Sequence, residues 1–353
     1  MKSHKSDSKV IRIALDAMGG DFAPVNEVHG AIKVFDDKLS DFKLEIVFVG
    51  DEKKIQAALA QYDNKNLNYS IIHADEVITM DDEPSAAIKK KKNSSLFKGL
   101  ELHSQGKVDA FVSAGNTGAV LSTATVLLGR IQGVSRPTIG SFLPTQKESP
   151  CFFLDVGANI DCKPRFLYEF AVMGSIHSTH MLGLENPSVA LLNIGEEKSK
   201  GSDVIQETFR LLKESRLNFV GNVEGGDILK GDVDIVVCDG FTGNIILKFA
   251  ESILGFFKSK IKAFGKKNII NLGILGFMKP FLTKIFSGFD YEEYGGVPLL
   301  GVDGVVIIGH GKSSAKAIQY MILKAVDMIT KNINSEIEQA LNPDSVENKE
   351  KAE

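Results

Sequence analysis

The sequence of 353 residues has little net charge: 41 Lys and Arg stand against 45 Asp and Glu, a formal −4. No basic field is available to concentrate nucleic acid, which argues against a DNA or RNA binder. Cysteine is scarce as well. Cys151, Cys162 and Cys238 include no CxxC pair, which disfavours a disulfide framework or a zinc site and fits a reducing cytoplasm. No apolar run reaches the roughly 18–20 residues that a membrane span requires. The polar start MKSHKSDSKV, followed by the short IRIALD, lacks the long apolar core of a signal peptide.

Familiar catalytic motifs are missing too. GHGKSS at 309–314 has Val306 where a P-loop needs its first glycine. Ser314 stands where a GxGxxG fingerprint after Gly309 and Gly311 needs its third. There is no GxSxG elbow and no HExxH spacing, so neither a serine nucleophile nor a metal site is expected. The cysteines read as small buried hydrophobes.

What the chain does contain is a series of short apolar runs, each ending in Gly, Asn, Asp or Ser. They are Val10–Asp16 before AMGGD, Leu44–Val49 before GD, Ala110–Ser113 before AGNTG, and Phe152–Asp155 before VGAN. Val189–Asn193 before IGEEK, Asp234–Asp239 before GFTGN and Val305–Ile308 before GHGKSS follow, with Tyr69–His73 and Asn218–Val220 as weaker candidates. Most precede a stretch with helical spacing. Buried parallel strands read this way, which predicts an α/β fold: a mostly parallel sheet with helices on both faces. Residues 10–331 are expected to form one α/β domain between polar tails at 1–9 and 332–353. In such folds ligands bind beyond the carboxyl ends of the strands. The Gly/Asn turns there could line an anion-binding crest of backbone N–H groups.

Residues 252–289 differ from the rest, with no acidic residue, seven lysines and seven of the 22 phenylalanines. An amphipathic helical segment is predicted, broken into short pieces by Gly265, Gly273, Gly276 and Pro280. Phe256, Phe257, Leu275, Phe277 and Phe281 are its apolar anchors, and Lys266 and Lys267 face anionic headgroups. Packing against a dimer partner is the alternative. The lysines at 89–92, in a predicted helix after Pro84, read as a solvated helix face, with a basic contact for an acidic partner as the alternative.

DAMGGD at 16–21, SAGNTGA at 113–119, LDVGAN at 154–159, LLNIGEE at 191–197, GNVEG at 221–225, CDGFTGN at 238–244 and YGGVPLLG at 294–301 together resemble the PlsX family of bacterial phosphate acyltransferases. The resemblance covers about residues 10–330. It implies a fold similar to that of the isocitrate and isopropylmalate dehydrogenases and the phosphotransacetylases, in a homodimer. The implied reaction converts fatty acyl-ACP and inorganic phosphate to acyl phosphate and free acyl carrier protein (ACP). A membrane glycerol-3-phosphate acyltransferase would act next in phospholipid synthesis. Phosphate is itself the nucleophile, so no cofactor is called for. The expected location is cytoplasmic, at the surface of an anionic membrane.

Carried onto this sequence, the catalytic candidates are Lys200, which would neutralise phosphate or thiolate, and Asn244, an oxyanion or phosphate donor; Lys198 is the confusable neighbour. Gly19, Gly20, Asn116, Thr117, Asn159 and His310 are the substrate-binding candidates. Asp16 and Asp239 would orient donors or cap helices. Two other functions remain open: a phosphotransacetylase-like enzyme using acyl-CoA, and a non-catalytic membrane scaffold for lipid-synthesis enzymes.

Overall fold

The computed structural model describes residues 10–36, 43–147, 149–287 and 296–342. The expected N-terminal tail, residues 1–9, lies outside them. Where the sequence suggested one body, the chain divides into two compact units. Among the described residues, the first takes those within 10–140, 176–185 and 296–342, and the second those within 141–175 and 186–287.

Along the chain come β1 (Val10–Asp16), α1 (Val25–Asp36), β2 (Lys43–Gly50), α2 (Glu52–Leu59), β3 (Tyr69–His73), α3 (Pro84–Lys90), α4 (Ser95–Ser104), β4 (Ala110–Ser113), α5 (Thr117–Leu127) and β5 (Thr138–Leu143). Then follow β6 (Cys151–Leu154), α6 (Pro164–Leu182), β7 (Ser188–Leu192), α7 (Asp203–Glu214), β8 (Asn218–Val223), β9 (Ile235–Val237), α8 (Gly240–Gly265) and α9 (Ile269–Ser287). The last elements are β10 (Val297–Leu300), β11 (Val305–Ile308), α10 (Ala315–Thr330) and α11 (Ile333–Leu341).

In the first unit the strands run β3-β2-β1-β4-β11-β10, followed by the first residues of β5, 138–140. All neighbours are parallel except at β10, which is antiparallel to both β11 and β5. Ile13, Leu15, Phe48 and Phe111 are fully buried, as strands covered on both faces demand. Helices α1 and α10 pack closely because Gly30 has no side chain: a Cβ there would sit 2.6 Å from Ile318 Cβ. The order β2-β1-β4 puts a topological switch point between β1 and β4, where the chain leaves in opposite directions. In the second unit β6-β9-β7-β8 are all parallel, with Phe152, Phe153, Leu154 and Ile235 buried.

Two further features depart from the sequence reading. Residues 333–341, assigned to the polar tail, form α11, because Ile333 and Ile337 recur at helical spacing and are fully buried. Residues 252–287 are helical, but they continue α8 and then form α9 rather than several short pieces; 288 and 289 lie outside the described residues. The break is at 266–268 alone. Gly265 lies against Leu275, while α9 runs through Gly273, Gly276 and Pro280. Propensity is a weak prior, and one proline removes a single backbone bond from a long helix. Phe256, Phe257, Phe277 and Phe281 are exposed and Leu275 is half-buried. Among the described residues no helix is long and apolar enough to cross a membrane.

Candidate active site

Each unit places a polar turn cluster at the carboxyl end of its strands. In the first unit, β1 and β4 lie side by side, with Leu15 paired to Val112. The buried Asp16 carboxylate therefore meets the end of β4. It accepts hydrogen bonds from Ser113 Oγ at 2.7 Å and Met18 N at 3.2 Å, and Gly115 N donates to Ser113 Oγ at 3.0 Å. Burial raises the Asp16 pKa, against the pull of its bonds to Ser95, Ser113 and Met18.

Gly19 is there because space is lacking: a Cβ would lie 2.6 Å from Asp16 Oδ2 and 2.9 Å from Gly115 N. A Cβ at Gly20 would collide with Glu27 Oε1 and lie 3.5 Å from Gly311 O. Gly311 O accepts from Asp21 N at 2.7 Å, so the 18–21 and 309–314 turns are joined. His310 is exposed on the second of these, and its Nδ1 accepts from Lys312 N. Asn116 caps α5, its Oδ1 accepting from Ala119 N at 3.0 Å. Its Nδ2 donates to the carbonyls of Thr79, Met80 and Asp82, so this amide ties down the 79–82 loop. Thr117 opens α5 and is exposed. Gly19, Gly20, Asn116, Thr117 and His310 thus gather at one end of the first sheet.

In the second unit the organising residue is Asp155, directly after β6 and fully buried. Its carboxylate accepts from the backbone N–H groups of Gly157, Ala158 and Asn159 at 2.8–3.0 Å, and from Asn159 Nδ2 at 2.7 Å. Burial raises its pKa, and these bonds oppose the rise. Asp239 caps α8, accepting from Thr242 N and Oγ1 at 2.8 Å each. Gly240 N donates to Asn159 O at 2.7 Å, which docks the start of α8 on the 155–159 turn. Gly157, at φ +134, adopts a backbone that other residues rarely reach, and it faces Asn244: a Cβ there would lie in ordinary contact, 3.5 Å from Asn244 Cγ. The 155–159 turn thus meets the N-terminal end of α8 at two points, Asn159 at Gly240 and Gly157 at Asn244, and backbone donors and the dipole at such an end favour anions.

Lys200 stands on a separate turn, after β7. Its N–H donates to Glu197 O, and its carbonyl accepts from Asn193 Nδ2. Its side chain is exposed, as is that of Lys198. The thiols beside the 155–159 turn are held in the protonated form. Burial, helped by the charges of Asp155 and Asp239, pushes Cys162 up to about 12 and Cys238 well above the ordinary range. Among the described residues no cluster of His, Cys, Asp or Glu could hold a metal ion. Sequence reasoning noted Asp155 only as a strand end and passed over Glu27. A buried carboxylate takes its meaning from surroundings that a linear sequence does not display.

The family described as "Fatty acid synthesis protein" matches residues 11–336. A phosphate acyltransferase from Dictyoglomus turgidum is 44% identical over 335 residues, covering 94% of this chain and 98% of the relative. Another from Chlorobaculum parvum is 46% identical over 337 residues, covering 93% and 98%. This chain belongs to the PlsX family of phosphate acyltransferases. As a family member it is a transferase, and five of the motifs that carried the resemblance, DAMGGD, SAGNTGA, LDVGAN, LLNIGEE and CDGFTGN, lie at the turns just described. The fold is also that of a phosphotransacetylase from Streptococcus pyogenes, with TM-score 0.57 at 18% identity over 92% of this chain and 94% of that one. The EutD phosphotransacetylase from Staphylococcus aureus gives TM-score 0.57 at 17% identity, over 91% and 95%.

Proposed function

We propose that this phosphate acyltransferase moves a fatty acyl group from the thioester of acyl-ACP to inorganic phosphate. An oxygen of hydrogen phosphate attacks the thioester carbon, the C–S bond breaks, and the proton of the phosphate goes to the departing thiolate. The products are acyl phosphate and free ACP. The protein's task is to hold the dianion within roughly 3–3.5 Å of the carbon and to stabilise the oxyanion. The observation that carries this reading is the docking of the 155–159 turn on the N-terminal end of α8, which brings Asn159 to Gly240 and Gly157 to Asn244, in a chain of this family. Asn244 donates to the oxyanion or phosphate, and Lys200 neutralises phosphate or thiolate from the β7 turn. Asn159 is aimed by Asp155. Gly19, Gly20, Asn116, Thr117 and His310 serve substrate binding in the first unit, with Asn116 acting through the loop it ties.

In this reading the enzyme is a cytoplasmic homodimer that rests on an anionic membrane through α8 and α9. It hands acyl phosphate to a membrane glycerol-3-phosphate acyltransferase. Mass spectrometry of products from acyl-ACP and phosphate, with an acyl-CoA arm and an EDTA arm, tests it. Acyl phosphate from acyl-ACP, undiminished by EDTA, is expected. Product from acyl-CoA alone would make it a phosphotransacetylase-like enzyme, and no product in either arm would leave the scaffold.

A further inference from the structure

Glu27 lies in the first turn of α1, 1% exposed, beneath the turn that carries Gly19 and Gly20. Its Oε1 fills the space where a Gly20 side chain would go, and its Oε2 has no hydrogen-bond partner among the described residues. An ionised carboxylate stripped of water and short of donors is costly, so such a group stays protonated.

We propose that Glu27 is a positioning residue for the Gly19–Gly20 turn: as a neutral acid it lets the turn hold an anionic substrate, and as a carboxylate it drives that anion away. The inference rests on the reading that this turn binds the substrate's anion.

The surroundings agree with this role. Burial lifts the Glu27 pKa to about 8, and the charge of Asp16 at the end of β1 adds to the rise. The neighbouring turns carry Asp21, His310 and Lys312. The helices packed on α1 bring Lys316, Tyr320, Lys324 and Asp327 from α10 and Glu52, Lys53 and Lys54 from α2. Ionisation thus places a second negative charge beside Asp16, under a turn next to the N-terminus of α1, and cancels the attraction that end offers an anion.

The test is the pH profile of kcat/KM for phosphate, corrected for the ionisation of phosphate itself, in the full-length wild type, Glu27→Gln and Glu27→Met. In the wild type, kcat/KM is expected to fall as pH rises through about 8, with kcat little changed because the effect is on binding. Both neutral variants are expected to push this limb upward by about one pH unit or more. Melting temperature supplies a second readout. A folded-state pKa raised from 4.5 to about 8 gives stability that is full at acid pH and lost as pH rises through about 8, a trend that Glu27→Gln should remove. An alkaline limb unmoved in folded variants overturns the inference. If the variants do not fold, a Glu27 carboxyl that titrates at the ordinary glutamate position by 13C NMR of the wild type overturns it equally, and titration near 8 supports it. Absence of acyl phosphate from the wild type at every pH sinks the proposed reaction instead. In that case calorimetric phosphate binding at low and high pH, in wild type and Glu27→Gln, still decides the role of Glu27.

Discussion

The carbonyl oxygen of Asp155 occupies the space in which a side chain on Gly243 would begin, so the turn after β6 and the first turn of α8 meet backbone to backbone. Asn244, the next residue, owes its place over Gly157 to that contact. A methyl group at 243 must push α8 away from the turn. Gly243→Ala is therefore expected to cost about 1–3 kcal/mol and to lower turnover beyond what lost stability explains. Gly255→Ala, in the same helix with nothing within 4 Å, is expected to gain about 0.5–1 kcal/mol. Thermal melts and acyl phosphate assays on the two variants check the contrast, and equal effects would break the argument.

Lys200→Ala and Asn244→Ala are each expected to lower turnover about tenfold to a thousandfold, the cost of one anion-stabilising donor. Folding should be preserved, since the Lys200 side chain is exposed and its turn is held through backbone groups. Lys198→Ala is the control and should stay near the wild-type rate. If Lys198→Ala falls and Lys200→Ala does not, the roles are exchanged.

Among the lysines at 89–92, Lys91 is occupied. Its Nζ donates to Val77 O at 2.9 Å and to Asp82 at 2.6 Å, holding the loop into which Asn116 also donates. The Asp82 carboxyl is held below its ordinary pKa, chiefly by the hydrogen bond from Lys91. Changing Lys89, Lys90 and Lys92 to Gln together should raise KM for acyl-ACP at low salt and much less at high salt, as a screened contact would. Lys91→Gln should instead lower the melting temperature. An unchanged KM at low salt removes this face as an ACP contact.

At the far end of α8 and in α9, Phe277 is 78% exposed and Phe281 is 61% exposed, whereas Leu275 is packed against Gly265. Phe277→Glu with Phe281→Glu is expected to release the protein from anionic liposomes in a flotation assay. Each inserted phenylalanine contributes roughly 1.5–3 kcal/mol before entropic costs. Oligomer mass and turnover on acyl-ACP should be unchanged. Leu275→Glu should disrupt the packing of α8 on α9 as well. Dissociation of the Phe277→Glu, Phe281→Glu variant into monomers would assign these rings to a subunit interface.

Most strand positions were legible because a buried parallel strand writes itself as an apolar run closed by Gly, Asn or Asp. β5 and β10 escaped. β10 is four residues long and includes Pro298, and β5 includes Gly140, and both residues weaken a strand reading. Neighbouring strands make those positions workable, and the neighbours come from distant parts of the chain. The site was legible as a set of residue types at strand ends. Its internal order was not: Asn116 and Asn159 look alike in sequence, yet one amide ties a loop and the other answers to Asp155.

Helix α8 carries Asn244 near its start and Phe264 near its end, about 30 Å apart at ~1.5 Å per residue. The same rod therefore sets a stand-off distance and an angular phase between the polar turn and the phenylalanine-rich end. Lengthening it by about four residues in mid-helix moves the end by about 6 Å and turns it by only ~40°, whereas about two residues swing it by ~200° to the opposite side. Chain length within α8 is thus a variable in its own right, one that single substitutions leave untouched.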